Sequence, residues 1–286
     1  MRRISRPSFS TQEVLLECIS NYRDKDLVSR FEKSEKEIVD WSNTLEQKII
    51  THTVSTMEEG CLPVEISKNE MIKLYTDKLA KMSQPGRVYY DRIMNSALHQ
   101  MCPLCGYRPV DSLDHYLPKE KFPALSISPI NLIPACMGCN KNKFTDKPSE
   151  AEDEFIHPYF DDIEKDLWLY SEIYEEIPLT IFYKVNPHQS WDRIKKERVK
   201  KHFKRFKLGQ LYSSYASEEI SGKLFSFKKS FEHGGNLAVK NELLKEIESL
   251  RYVQVNSWKT ALYTALYESD WFCNEALSYS IEDLLR

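Results

Sequence analysis

Apolar side chains recur at helical spacing along most of this chain, and in one stretch the pattern fails. Val14, Leu15, Cys18, Ile19 and Tyr22 form one stripe, and Ile38, Trp41, Leu45 and Ile49 a second. Residues three and four apart share a face of a helix, so each stripe predicts one. Ser10-Thr11-Gln12-Glu13 precedes the first stripe with capping-box spacing, in which serine and glutamate side chains satisfy amides that a helix start leaves free. Ser67-Lys68-Asn69-Glu70 repeats that spacing ahead of Met71, Leu74, Tyr75 and Leu79, and Pro85-Gly86 closes the helix. A short helix from Val88 to Leu98 is predicted next. Between 102 and 147 no long apolar period survives. β-Branched and aromatic residues from Leu167 to Val185, broken by Pro178, predict a hairpin. Helical spacing resumes near Ser190 and runs to about Leu277, with a break at Gly234-Gly235. The pattern divides the chain into a helical region 1–100, a chemically distinct segment 101–150, and a region 151–286 with a hairpin and then helices.

Composition narrows this picture. The 286 residues are 41% hydrophobic and 29% charged, an ordinary globular balance that excludes wholesale disorder, collagen and coiled-coil fibre. Only 8 residues are glycine, which favours helices over a turn-rich β fold. No apolar run approaches the ~18 residues of a membrane span. The basic N-terminus, Met1 to Pro7, is followed by no apolar segment of the secretory kind, so a cytoplasmic protein is expected.

The net charge of −3 means that any affinity for nucleic acid must come from a local patch. One exists. Arg193, Lys195, Lys196, Arg198, Lys200, Lys201, Lys204, Arg205 and Lys207 are opposed only by Glu197, while Ile194, Val199, Phe203 and Phe206 give the same helix a face to bury. The basic face predicts a phosphate-backbone contact. Residues 150–166, with eight acids against Lys165, offer an intramolecular alternative in which they dock on the basic helix and restrain it.

The seven cysteines are read for metal rather than disulfides, given no export signal. Cys102-Pro-Leu-Cys105 and Cys136-Met-Gly-Cys139 are two knuckles whose two-residue gaps let paired thiolates reach one ion. Together they predict a tetrahedral four-cysteine zinc site. Four protein sulfurs leave no open position, so this zinc is structural. The spacing between knuckles exceeds that of the usual ribbon and marks an insert. Cys18, Cys61 and Cys273 have no partner spacing, and Cys18 lies on an apolar stripe. His157, beside Pro158, is expected to be structural.

The insert carries Asp114-His115, then Asn131-Leu132, and leads into Cys136-Met137-Gly138-Cys139-Asn140-Lys141-Asn142-Lys143. In that order and spacing, over about 45 residues, the segment resembles the HNH endonucleases, the ββα-metal superfamily. The resemblance implies a hairpin and a helix around one divalent cation, and so an α+β protein that is mainly α with a small zinc-stabilised ββα core. It implies His115 as general base, Asp114 and Asn140 as ligands of Mg²⁺ or Mn²⁺, Asn131 as the residue orienting the imidazole, and Lys141 and Lys143 as phosphate contacts. These types suit phosphodiester hydrolysis, which needs a base for water, a hard cation for the leaving oxygen and donors for developing charge. The chain departs from the eponymous pattern at Asn140, where the family often has histidine; asparagine remains a hard ligand. Helical chains with such a centre resemble nuclease subunits of bacterial anti-phage systems of the Septu kind, which implies a separately encoded partner ATPase; this chain has no phosphate-binding glycine loop of its own. A metal-dependent endonuclease acting on DNA, or an RNase using the same centre, is the expectation. A zinc-dependent binding module without catalysis is the alternative.

Overall fold

A computed structural model describes residues 1–143 and 147–286. Met1–Asp162 and Ile163–Arg286 are two compact units. Segments 1–100 and 101–150 both lie in the first, because they share a core.

Four helices of the first unit are α1 (Thr11–Ile19), α2 (Lys25–Ile50), α3 (Lys68–Lys73) and α4 (Arg87–Met94). Both capping boxes form: Ser10 N donates to Glu13 at 2.7 Å while Glu13 N donates to Ser10 Oγ at 3.1 Å, and Ser67 pairs with Glu70 in the same way. α2 begins earlier than its apolar stripe, at Asp24, whose carboxylate accepts from Leu27 N at 3.1 Å. α3 runs on into wider turns over Leu74–Leu79, where Ala80 N donates to the carbonyl of Tyr75, five residues back, at 2.8 Å. α4 stops at Met94, short of the predicted Leu98.

A two-stranded antiparallel hairpin follows, β1 (Ser112–His115) with β2 (Leu132–Ala135), and then α5 (Met137–Asn142). Ser112 lies opposite Ala135 and His115 opposite Leu132. Leu113 and Leu132 join Leu15, Phe31, Ile38 and Leu74 in one buried cluster. Each such side chain contributes about 1.5–3 kcal/mol on leaving water. The hairpin is too short to stand alone, and the helices supply the apolar surface it lacks.

The second unit holds an antiparallel hairpin, β3 (Leu169–Tyr174) with β4 (Thr180–Val185), where the alternation predicted one. Helices α6 (Arg193–Arg205), α7 (Leu208–Val253), α8 (Trp258–Glu268), α9 (Asp270–Asn274) and α10 (Ile281–Leu285) follow. α7 breaks at Gly234-Gly235, where Gly235 takes φ +64°, ψ −157°, a conformation that a β-carbon disfavours. The chain folds back there: Lys223 pairs with Glu246 at 3.2 Å and Ser226 with Glu242 at 2.8 Å. Buried Asn256 accepts from Trp168 N at 2.9 Å and donates to the Asp166 carbonyl at 2.8 Å, tying the start of the hairpin to the turn before α8. Among the described residues no helix is long and apolar enough to cross a membrane. The protein is therefore mainly helical, with two small two-stranded sheets.

Candidate functional site

The four knuckle cysteines are buried, and their sulfurs lie within 4.8 Å of one another. Cys105 Sγ and Cys136 Sγ are 4.0 Å apart, twice the length of a disulfide and close to the ~3.8 Å edge of a tetrahedron with 2.3 Å metal–sulfur bonds. Backbone amides point at the sulfurs: Arg108 N at Cys105 Sγ, 3.4 Å, and Cys139 N at Cys136 Sγ, 3.3 Å. Gly106 takes φ +71° in the first knuckle, which lets its amide reach the carbonyl of Cys102 at 2.7 Å. Four thiols so close cannot all ionise unaided. Hydrogen bonds from Cys102, Cys136 and Cys139 hold Cys105 down, whereas Cys102 is pushed up by its bonds to Cys105 and Cys136 and by burial. A divalent ion removes that conflict by meeting all four as thiolates. The cluster fits a zinc ion.

Both faces of β1 carry chemistry. Side chains alternate along a strand, so Leu113 and His115 share one face and Ser112 and Asp114 the other. The His115 face turns to the helical core. Its imidazole meets Tyr75 edge to face, with centroids 4.5 Å apart, and is only 7% exposed. His115 Nε2 lies 2.9 Å from the carbonyl oxygen of Ser126. A carbonyl only accepts, so Nε2 carries the proton and Nδ1 of the neutral ring keeps the lone pair. Burial pushes the imidazole pKa down to about 3, against the Ser126 bond and helped by the charges of Lys119 and Lys143. The ring is neutral at physiological pH.

The Asp114 face is covered by α5 and the residue after it. Asn140 Nδ2 donates to Ser112 Oγ at 3.2 Å. One turn on, Lys143 Nζ meets Asp114 Oδ2 at 2.9 Å and also donates to the carbonyl of His115. Both side chains are buried, with 10% and 7% exposure for Asp114 and Lys143. Burial raises the Asp114 carboxyl above its ordinary range, and Lys143 and the His115 amide pull it back. Burial lowers Lys143, and Asp114 opposes that.

Three expectations about single residues are corrected. Asn131 does not hold the imidazole. Its Oδ1 accepts from Leu117 N at 2.7 Å, and its Nδ2 donates to the carbonyls of Leu117 and Leu125 at 3.0 and 3.1 Å. It pins the loop between the strands, and Ser126, next to Leu125, takes the imidazole instead. Lys143 is not displayed to a phosphate, being buried against Asp114. Arg198 is 1% exposed and faces inward from the basic helix, so it meets no phosphate either. Lys141 is exposed.

On α6, Arg193, Lys200 and Lys204 are exposed and fall on one face at helical spacing; Lys207, past the helix end at φ +52°, is exposed as well. Lys201 and Arg205 are half-buried; Lys195, also half-buried, lies over the Trp191 ring at 4.2 Å, and Lys196 donates to the carbonyl of Gln189 at 2.8 Å. Four acids of 150–166 have partners within their own units. Glu154 accepts from Val54 N at 2.8 Å, Asp161 from His157 N at 2.6 Å and Asp166 from Trp191 Nε1 at 2.6 Å, and Asp162 pairs with Arg3 at 3.6 Å. His157 is fully buried, with Nε2 3.1 Å from the Ile130 carbonyl and its ring among Tyr116, Tyr159 and Phe160.

Tyr75 and Lys119 stand at the site without having been singled out in the sequence. Tyr75 walls the imidazole, and Lys119 lies 5.9 Å over the Tyr75 ring. Tyr75 reads in the sequence as one more apolar-stripe residue, and Lys119 belongs to none of the motifs; only the fold brings them together.

No protein-family model matches the chain, and no solved structure matches it. Among curated proteins it is similar to Protein ea31 of Escherichia phage lambda, at 29% identity over 228 residues, which is 72% of this chain and 74% of that protein.

Proposed function

We propose that the chain is a divalent-metal-dependent endonuclease of the HNH, or ββα-metal, kind, hydrolysing phosphodiester bonds of DNA. The observation that supports this reading is the state of His115. With Nε2–H engaged by Ser126, the base is left on Nδ1, and the next residue back along the strand is Asp114, whose face is covered by the helix that carries Asn140.

In this reading His115 Nδ1 takes the proton of the attacking water. The Ser126 carbonyl fixes the ring and stabilises the imidazolium that forms. Tyr75 and the apolar core limit the ring's rotation and keep bulk water from its far side. Asp114 and Asn140 hold the divalent ion; Asn140 spends its Nδ2 on Ser112, which leaves Oδ1 as the ligand atom. The hardness of these donors selects Mg²⁺ or Mn²⁺, which when bound stabilises the leaving 3′ oxygen. A buried carboxylate that already receives an ammonium is a cation-accepting position, which fits this assignment. Lys119 and Lys141 carry positive charge for the backbone of the substrate, and the second unit offers a basic face of its own on α6. Zinc on the four cysteines holds the loop before β1 to the start of α5. Anti-phage defence beside a separate ATPase is the setting we favour. The likeness to a lambda phage protein fits a mobile-element setting equally.

One observation favours a second reading. Lys143 neutralises Asp114 without any divalent ion, as a zinc-dependent nucleic-acid-binding module would require. Supercoiled plasmid incubated with zinc-loaded protein and Mg²⁺ or Mn²⁺ separates the two. Nicked circles that EDTA abolishes support the nuclease. Plasmid shifted in a gel but left intact supports the binding module, and cleavage of single-stranded RNA alone assigns an RNase.

A further inference from the structure

Lys143 is placed oddly for a surface lysine that follows a short helix. Its ammonium touches two oxygens, Asp114 Oδ2 at 2.9 Å and the His115 carbonyl, and its side chain is 7% exposed. A cation seated on two oxygens of β1, beside Asn140 on α5, sits where the proposed divalent ion would have to bind. We propose that Lys143 is a tethered cation that holds Asp114 while no divalent ion is bound, and that it must leave before one binds. This rests on the nuclease reading and adds to it a restraint on metal loading.

Charge and connection support the proposal. Asp114 with Lys143 is a neutral buried pair. A divalent ion added beside it would put three positive charges against one negative, at contact distance, in a site that water hardly reaches. Replacing the ammonium leaves two against one, with Asn140 and water sharing the ion. Lys143 can leave cheaply in backbone terms. It is the first residue past α5, with φ −75° and ψ 119°, so its side chain can swing out without breaking a helical turn. Once out, the ammonium is free to meet a phosphate. The polyanionic substrate therefore favours the same conformation that the metal needs, and two ligands that favour one state assist each other. A chain carrying this device loads its metal poorly until nucleic acid arrives.

The pair acts as a pre-equilibrium. If it is closed in about nine molecules in ten, the apparent affinity for metal falls about tenfold. Mn²⁺ binding to the zinc-loaded protein without nucleic acid, followed by electron paramagnetic resonance, reads this directly. Lys143→Met is expected to bind Mn²⁺ about tenfold more tightly than wild type, and adding Asp114→Asn is expected to remove the gain. Equal or weaker binding by Lys143→Met, with binding still dependent on Asp114, overturns the proposal and leaves the nuclease reading standing. Binding that never depends on Asp114 overturns both. A second measurement needs no variant: acetylation of lysines in wild-type protein, read by mass spectrometry. Lys143 is expected to be protected without divalent ion and to react several-fold faster with Mg²⁺ present; an unchanged rate overturns the proposal.

Discussion

The Nε2 of His115 lies 2.9 Å from the carbonyl oxygen of Ser126, and that one bond decides which nitrogen of the ring can act as a base. The Ser126 carbonyl is itself held in place by a loop whose backbone Asn131 grips at Leu117 and Leu125. The imidazole is therefore oriented by main chain, and the asparagine acts one step behind it.

That arrangement makes Asn131 a stability residue first. Asn131→Ala leaves the amide and the carbonyl of Leu117 without their partners in a fully buried place, at about 1–3 kcal/mol for each group, while the Leu125 carbonyl keeps the Ser128 amide at 3.2 Å. A loss of about 3 kcal/mol or more is expected in urea denaturation. A loss under about 1 kcal/mol would show that the loop is held by something else.

The four cysteines are expected to carry one zinc per chain by metal analysis. Cys139→Ser should lose it, and the first unit should then melt at lower temperature, since binding energy at a structural zinc site is folding energy. Full zinc content in Cys139→Ser would show that the cluster holds no metal.

Glu70 supplies a pH-dependent contribution. Hydrogen bonding from Arg30, at 2.6 Å, is the main cause that lowers its carboxyl from 4.5 to about 2, aided by Ser67. The folded protein binds the proton more weakly than the unfolded chain, so the contribution is whole above pH 4.5 and fades as pH falls toward 2. Glu70→Gln, which keeps the capping box, should cost about 1 kcal/mol at pH 7, chiefly through the lost charge opposite Arg30, and markedly less at pH 3. Thermal melts of both proteins at the two pH values check this, and a pH-independent difference would contradict it.

Exposed and buried cations of α6 should behave differently toward nucleic acid. Lys200→Ala with Lys204→Ala is expected to weaken plasmid binding and to reduce the slope of log affinity against log salt by up to about one per lost contact. Arg198→Met, changing a buried side chain, should alter stability and leave that slope alone. Salt titrations of binding read both; a slope that Arg198 controls and the lysines do not would sink the assignment of this face.

Local signals were legible in the sequence. Ser10 with Glu13, and Ser67 with Glu70, satisfy helix starts by their own side chains, so spacing alone located them. Gly234-Gly235 marked the reversal in α7 because no other residue type takes that backbone so readily. The paired knuckles foretold a cysteine cluster because two-residue gaps impose it. What escaped were relations set by tertiary structure. Asn131 looked like a partner for His115 by its place in the motif, yet its three bonds go to backbone far along the loop. Lys143 and Arg198 read as phosphate contacts because lysine and arginine are usually exposed, and only the neighbours of each reveal the burial. Tyr75 reaches the imidazole from a helix about forty residues upstream, a contact that no local period encodes.

The central claim is that His115 activates water for phosphodiester hydrolysis. It is tested most directly by initial rates of plasmid nicking in Mg²⁺ or Mn²⁺ for wild type and His115→Ala, with zinc content and melting measured on the same samples. A folded, zinc-replete His115→Ala that nicks about 10²–10⁴-fold more slowly, the worth of a general base, is the predicted result. Nicking at the wild-type rate by that variant would contradict the account.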